Sequence, residues 1–168
     1  MLIVFTSEET VRRVDQLLDY LRGPRLWIPS VDYPDFDGWL VRAYTQLKTE
    51  AKRALIALSG QAIVGAVLYQ RHRLEVDAVE IKNITVRPDQ RGRYVASFLL
   101  RNAEVEGAAD FAARRALVDS KRRNIAMCRH LERNGYQVRS VLDLYGLGAG
   151  DDVLFEKPID AARGRIVS

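Results

Sequence analysis

The chain has 168 residues, 48% of them apolar, with 26 Lys and Arg against 22 Asp and Glu and a formal net charge of +4. That size and apolar share predict one domain with a proper core, and the mild positive surplus suits an anionic ligand without demanding nucleic acid. One cysteine excludes an internal disulfide, and with two histidines it excludes a Cys/His zinc pattern, so no metal is expected.

Leu2 to Phe5 reads as a short buried strand; it lacks a basic n-region and leads into Glu8-Glu9, which is not the pattern of a signal peptide. No apolar run approaches the roughly 20 residues of a membrane span, so a cytoplasmic setting is the default expectation. Thr6 and Glu9 form a capping box opening a helix with the stripe Val11, Val14, Leu18 and Leu21, stopped by Gly23-Pro24. Arg25 to Pro34 is an aromatic, proline-punctuated loop; with Trp27 there and Trp39 nearby, it reads either as packing or as the wall of an acceptor site. A second helix starts at about Asp35, with Phe36, Leu40, Ala43 and Leu47 on one face. Arg53–Leu58 and Ala62–Gln70 are strands joined by a tight hairpin at Ser59-Gly60-Gln61, and Asp77–Val86 is a third. Arg71-His72-Arg73 reads as an exposed basic turn.

A helix then continues to about Ala113, followed by a brief strand Ala116–Asp119. The next helix, Asn124–Arg133, carries Ile125, Cys128 and Leu131 inward, and Gly135 ends it. Tyr136–Tyr145 and Asp152–Lys157 are the last strands, joined across a glycine-rich loop. The mixed α/β (α+β) order predicts a mostly antiparallel central sheet flanked by helices over residues 1–158, with 159–168 as a polar tail.

The stretch from Val86 to Leu100 organises this pattern. An apolar strand ends at Arg87-Pro88, a polar loop carries Arg91-Gly92-Arg93, and helical spacing begins with Val95, Leu99 and Ala103. A strand, a basic glycine-containing turn and a helix start point several backbone N–H groups at one spot, where the helix dipole adds positive charge. The turn is either a phosphate cradle or an ordinary βα connection.

Gln90-Arg91-Gly92-Arg93-Tyr94-Val95-Ala96 resembles the pyrophosphate loop of the GNAT superfamily of acetyl-CoA-dependent N-acetyltransferases, and the element order is similar to that fold. Tyr94 departs from the pattern, standing where the family usually has its second glycine; if that position needs positive φ, the substitution costs about 1–2 kcal/mol. The resemblance implies acetyl-CoA as cosubstrate, held by backbone groups of Val86, Arg91, Gly92, Arg93, Tyr94, Val95 and Ala96, with Ser97 in the first helical turn also within reach of a phosphate. It further implies that Asn124 bonds the pantetheine arm. Leu131 occupies the place of the tyrosine that many members use as general acid; His130 and Tyr145 could substitute or could have surface or structural roles, while Tyr136 matches the family's packing aromatic.

Acetyl transfer needs an unprotonated amine, and freeing a lysine-like amine at pH 7 costs about 4–5 kcal/mol. Glu80, on the strand leading to the turn, is the candidate general base, acting directly or through water. Alternation puts it on one face with Lys82, so the competing reading is an ion pair; Asn83 is a second, weaker candidate for contact with the acceptor. The expected reaction is direct attack of a primary amine, on a small molecule or peptide, in a ternary complex formed by a monomer or homodimer. The cluster Lys121-Arg122-Arg123, with Arg114-Arg115, reads as a solvated face, a 3′-phosphate contact or an RNA-binding patch. Two alternatives follow: acetylation of aminoacyl-tRNA, and a non-catalytic acyl-CoA-binding module. Cys128 reads as core.

Overall fold

A computed structural model describes residues 4–6, 10, 12–23, 33–144, 146, 148 and 150–160. Along the chain come β1 (Val4–Thr6), α1 (Val14–Arg22), α2 (Phe36–Lys48), β2 (Arg53–Ser59), β3 (Ala62–Arg71), β4 (Ala78–Val86) and a single 3-10 turn (Pro88–Gln90). Then follow α3 (Val95–Phe111), β5 (Arg115–Lys121), α4 (Ile125–Arg133), β6 (Gln137–Leu142) and β7 (Asp152–Pro158). The strands form one sheet in the order β1-β2-β3-β4-β5-β7-β6. The pairs β1/β2, β2/β3, β5/β7 and β6/β7 are antiparallel, and β4/β5 is parallel. This is the mostly antiparallel α/β sheet that the sequence predicts.

Contacts divide the chain into two compact units, residues 1–70 with 83–103, and residues 71–82 with 104–168. In the first, Val14, Leu17, Leu18 and Leu21 of α1 and Leu40 and Leu47 of α2 pack with Ala54, Ile56, Leu58, Ile63, Ala66 and Leu68 of β2 and β3. Burying each large aliphatic side chain contributes about 1.5–3 kcal/mol, which is where a nine-residue helix such as α1 finds its stability. The start of α3 lies tight against β3. A Cβ at Gly65 would stand 3.0 Å from Leu99 Cδ1 and 3.1 Å from Val95 Cγ1, so only glycine admits the helix at this distance. In the second unit the closeness is repeated from the helix side, since a Cβ at Gly107 would meet Val79 Cγ2 at 2.7 Å.

Several boundaries differ from the sequence expectation. Thr6 pairs with Ile56 in β1 and is not the N-cap of α1, which begins only at Val14, and Thr10 is buried with its hydroxyl donating to the Ala54 carbonyl at 2.9 Å. Leu2, Ile3, Glu8, Glu9, Val11, Pro24 and the loop around Trp27 lie outside the described residues, as do Tyr145 and residues 161–168. Trp39 is partly buried, stacked on Phe36 at 5.7 Å with Lys52 Nζ 5.0 Å from its ring centre. His72 is not simply solvated: its Nδ1 accepts from the amides of Leu74 (3.3 Å) and Glu75 (3.0 Å), shaping the β3–β4 connection. β6 stops at Leu142, short of Tyr145, while β5 runs from Arg115 to Lys121, longer than expected. Ile125 does not face inward; it is 58% exposed, whereas Leu131 is fully buried.

Candidate active site

The turn after β4 is braced by its own side chains. Arg87 forks onto Asp89, Nε to Oδ1 at 2.7 Å and Nη2 to Oδ2 at 2.6 Å. That guanidinium, with Gln90 Nε2 donating at 3.0 Å, holds the Asp89 carboxyl well below the usual carboxylate range. Gln90 is buried, and its Oε1 accepts from Arg93 Nη1 at 3.2 Å. The Arg87 amide is anchored to the Val64 carbonyl at 2.9 Å. Every one of these contacts fixes the path of the loop before the helix begins.

Gly92 then takes φ +75° and Tyr94 takes φ +62°. The Tyr94 carbonyl accepts from the Phe98 amide at 3.0 Å and so opens α3. Among the described residues, the amides from Gly92 to Ser97 donate to no acceptor within the chain. Six successive N–H groups at the positive end of a 17-residue helix are left free to bond an anion, with open space above Gly92 where a Cβ would meet nothing within 4 Å. Arg91 corrects the expectation in part. Its amide is already bonded to the Pro88 carbonyl (3.3 Å) and its Nε to the Val86 carbonyl (3.0 Å), so neither the Arg91 N–H nor that lone pair of Val86 is available. Tyr94 does need positive φ, and the penalty of about 1–2 kcal/mol applies.

Sequence reasoning passed over Tyr20. Its hydroxyl is enclosed near Thr85, Arg87 and Arg91; burial raises its pKa, countered in part by the Thr85 hydroxyl and the two guanidinium groups. Tyr20 sits at helical spacing beside Leu17 and Leu21, which marks it as core and hides its nearness to the turn.

Val86 and residues 91–97 lie together in the first unit; Glu80 and Asn124 belong to the second. Glu80 stands on β4, six residues before Val86, opposite Leu117 of β5. The parallel ladder with β5 ends at Ile81 and Val118, and Asn83 then adopts φ +54°, which a regular strand does not accommodate. Lys82 Nζ lies 3.0 Å from Glu80 Oε1 and 3.6 Å from Asp119 Oδ1. Burial pulls the Lys82 pKa down, yet Asp119 and Glu80 together raise it above its ordinary value. The ion pair anticipated from strand alternation is therefore present, and Glu80 carries a cation beside it.

Asn124 is the N-cap of α4, its Oδ1 accepting from the Met127 amide at 3.2 Å. His130 is half-buried, and burial, then Arg133, lowers its pKa. Cys128 is half-buried, its Sγ 3.7 Å from the Lys121 carbonyl. Tyr136 is core, as its match implies: its hydroxyl donates to Glu104 Oε1 at 2.9 Å, and Lys157 Nζ reaches Glu104 Oε2 at 2.7 Å. The basic cluster is neutralised in part, with Arg114, Arg122 and Arg123 exposed. Lys121 is buried between Asp151 (3.1 Å) and Asp152 (2.7 Å), and Arg115 meets Asp77, Glu75 and Glu156. Among the described residues, no group of three or more His, Cys, Asp or Glu is arranged to hold a metal ion, and no helix is long and apolar enough to cross a membrane.

Comparison with known proteins joins these observations. The fold is shared with an N-acetyltransferase from Staphylococcus aureus Mu50 (TM-score 0.75, 14% identity, covering 95% of this chain and 100% of that one). It is shared also with the PaiA N-acetyltransferase of Thermoplasma acidophilum solved with coenzyme A (TM-score 0.70, 17% identity, 94% and 99% covered). A third such structure is aminoglycoside 6′-acetyltransferase type Ii (TM-score 0.71, 16% identity, 95% and 98% covered). No curated protein matches the chain. The model of the Acetyltransferase (GNAT) family matches residues 15–136, a span that holds β4, the turn with its unpaired amides, α3 and α4, and the chain therefore belongs to the GNAT family of acetyltransferases.

Proposed function

We propose that this chain is an N-acetyltransferase that moves the acetyl group of acetyl-CoA to a primary amine by direct attack in a ternary complex. The observation that carries the proposal is the run of unpaired amides from Gly92 to Ser97 at the start of α3, inside the family match. These groups fit a diphosphate, each charge-assisted hydrogen bond contributing about 1.5–3 kcal/mol, which outweighs the strain at Tyr94. A protein of the same fold solved with coenzyme A supports the reading. Bound acetyl-CoA supplies the activated thioester. The side chains of Arg91 and Arg93 add positive charge around the turn, and Asn124 retains its side-chain NH2 for the pantetheine arm while its oxygen caps α4.

Glu80 takes the amine proton, directly or through water, and Lys82, itself also paired with Asp119, holds the carboxylate in place. Leu131, fully buried, donates nothing to the leaving thiolate. A thiol with a pKa near 8.5 leaves with little help, so a slower turnover without a dedicated acid is the expectation. The acceptor is an amine on a small molecule or peptide, the class to which the aminoglycosides named for one neighbour belong.

Free-thiol release measured with acetyl-CoA across a panel of aminoglycosides, diamines, peptides and charged tRNA tests this. The expected result is release above the hydrolytic background with at least one amine, accompanied by a product 42 mass units heavier on the order of one per thiol. The pairing of Lys121 and Arg115 with acids weakens the basic cluster that motivates the tRNA reading, while Arg114, Arg122 and Arg123 stay exposed. A non-catalytic acyl-CoA-binding module is the second reading, favoured by the loss of the family's tyrosine at buried Leu131; binding of acetyl-CoA with no thiol release from any amine would establish it instead.

A further inference from the structure

The turn between β3 and β4 is held more by hydrogen bonds than by packing. Leu74 is 85% and Val76 72% exposed, so neither side chain does much to close it. Its ends meet through the His72 amide on the Ala78 carbonyl (2.9 Å) and the Ala78 amide on the Glu75 carbonyl (3.0 Å). Its interior is gathered on one ring nitrogen. His72 Nδ1 accepts from the amides of Glu75 (3.0 Å) and Leu74 (3.3 Å), two donors that only an unprotonated nitrogen can satisfy. From outside, the Glu75 carboxylate is tied to Arg139 Nη1 (2.8 Å) and Arg115 Nη2 (3.0 Å). The hydrogen bond from Arg139, ahead of the charge of Arg115, holds the Glu75 carboxyl below its ordinary range. On acidification this outer tie therefore outlasts the inner one.

We infer that His72 is an acid-sensitive lock: a proton turns Nδ1 from acceptor to donor, releases the amides of Leu74 and Glu75, and opens the turn that leads into β4. The inference stands apart from acetyl transfer and needs no ligand. Its sign follows from linkage. The closed turn binds the neutral ring, so closure is whole above the histidine titration and is lost as pH falls through it. The charged groups around the ring pull both ways. Arg71 and Arg73, its neighbours in the chain, oppose a further positive charge. Glu75 and Asp77 favour one, but Glu75 is taken by Arg139 and Arg115, and Asp77 by Arg115 at 2.7 Å. Their pull on the ring is reduced accordingly, and the two amide donors decide. With the Glu75 carboxylate still tied, the opening is confined to the tip. The β4–β5 ladder, which begins at Ala78 and Arg115, stays in place.

Nuclear magnetic resonance of the full chain, following backbone amides and the His72 ring nitrogens together from about pH 8 to about pH 5, tests the lock. The Leu74 and Glu75 amide signals are expected to move upfield along one curve with proton uptake by the ring. Their protection against hydrogen exchange should fall about tenfold, the contribution of the two bonds. His72→Asn puts an oxygen close to the place of Nδ1 and takes no proton, so both signals should hold still over the same range. His72→Ala should show the open positions already at pH 8. Leu74 and Glu75 signals that ignore protonation of the ring would overturn the lock, a result read from the unaltered chain even if a variant fails to fold. An equal response in His72→Asn would overturn it too, by assigning the change to Glu75 or Asp77.

Discussion

Lys82 Nζ lies 3.0 Å from Glu80 Oε1 and 3.6 Å from Asp119 Oδ1, so the carboxylate proposed as the general base is held by a partly buried cation. Glu80→Gln keeps the shape and a weaker hydrogen bond to Lys82 but removes the proton acceptor. A positioned general base is worth about 10²–10⁴ in rate, so kcat/KM should fall by at least about a hundredfold between pH 6 and 8. Unaltered kinetics in that range would assign Glu80 to structure alone.

The same pair has a pH signature. Asp119 and Glu80 raise the Lys82 pKa in the folded chain, so the stability it contributes is whole below the unfolded value near 10.5 and is lost as pH rises through the folded value. Alkaline denaturation followed by circular dichroism should therefore begin at lower pH in Glu80→Gln than in the unaltered protein. The shift in stability at pH 7 should stay within about 1 kcal/mol, since the pair is partly solvated.

Tyr136, Glu104 and Lys157 form a second linked group, and here the expected effect is on stability. Burial, then the neighbouring Glu104 charge, raises the Tyr136 pKa well above 10, so its phenol stabilises the fold below pH 10 and that contribution is lost at higher pH. Tyr136→Phe should cost about 1–2 kcal/mol at pH 7 and flatten the alkaline limb. Glu104→Ala should cost more, about 2–4 kcal/mol, because it strands both the hydroxyl and Lys157 Nζ. Thermal melts at pH 7 and 10.5 compare the two variants directly.

Restoring the family's tyrosine should not restore an acid. Leu131 is fully buried, so Leu131→Tyr forces a longer side chain and an unpartnered hydroxyl into packed space, at a cost of about 1–3 kcal/mol. A lower melting temperature with no gain in kcat is expected; a faster enzyme of undiminished stability would show that α4 is arranged differently.

Gly107→Ala sets two effects against each other. Alanine in a helix interior gains about 1 kcal/mol over glycine, but its Cβ would lie 2.7 Å from Val79 Cγ2 and 2.9 Å from Val79 Cβ, and the latter cannot rotate away. The clash should win, giving a net loss of about 1–2 kcal/mol in denaturant unfolding, which Val79→Ala in the same chain should relieve only in part, because it removes the Cγ atoms and keeps the Cβ.

What could be read from the chain in advance was the information carried by near neighbours. Four-residue spacing of Val95, Leu99 and Ala103 gave the buried stripe of α3, and Ser59-Gly60-Gln61 gave the β2–β3 hairpin, though not the register shift at Ala57/Leu58. Ile125, Cys128 and Leu131 misled because residues six apart stand roughly 120° round a helix, so the first and last do not share a face. Thr6 looked like a cap because the local pattern allows one, but its strand partner, Ile56, is fifty residues away. Lys121 looked solvated for the same reason, its acids being thirty residues on at Asp151 and Asp152. At the turn, the basic residues and glycine were legible, whereas the use of the Arg91 amide by Pro88 depends on a 3-10 turn that no side-chain pattern encodes.

The amides themselves give the most direct test. In a ¹⁵N–¹H correlation spectrum titrated with acetyl-CoA, the signals of Gly92, Arg93, Tyr94, Val95, Ala96 and Ser97 should move together downfield to saturation, while that of Arg91, already donating to Pro88, should move least. Saturable binding that leaves those six signals in place would contradict the account, because the cosubstrate would then be held somewhere other than the mouth of α3.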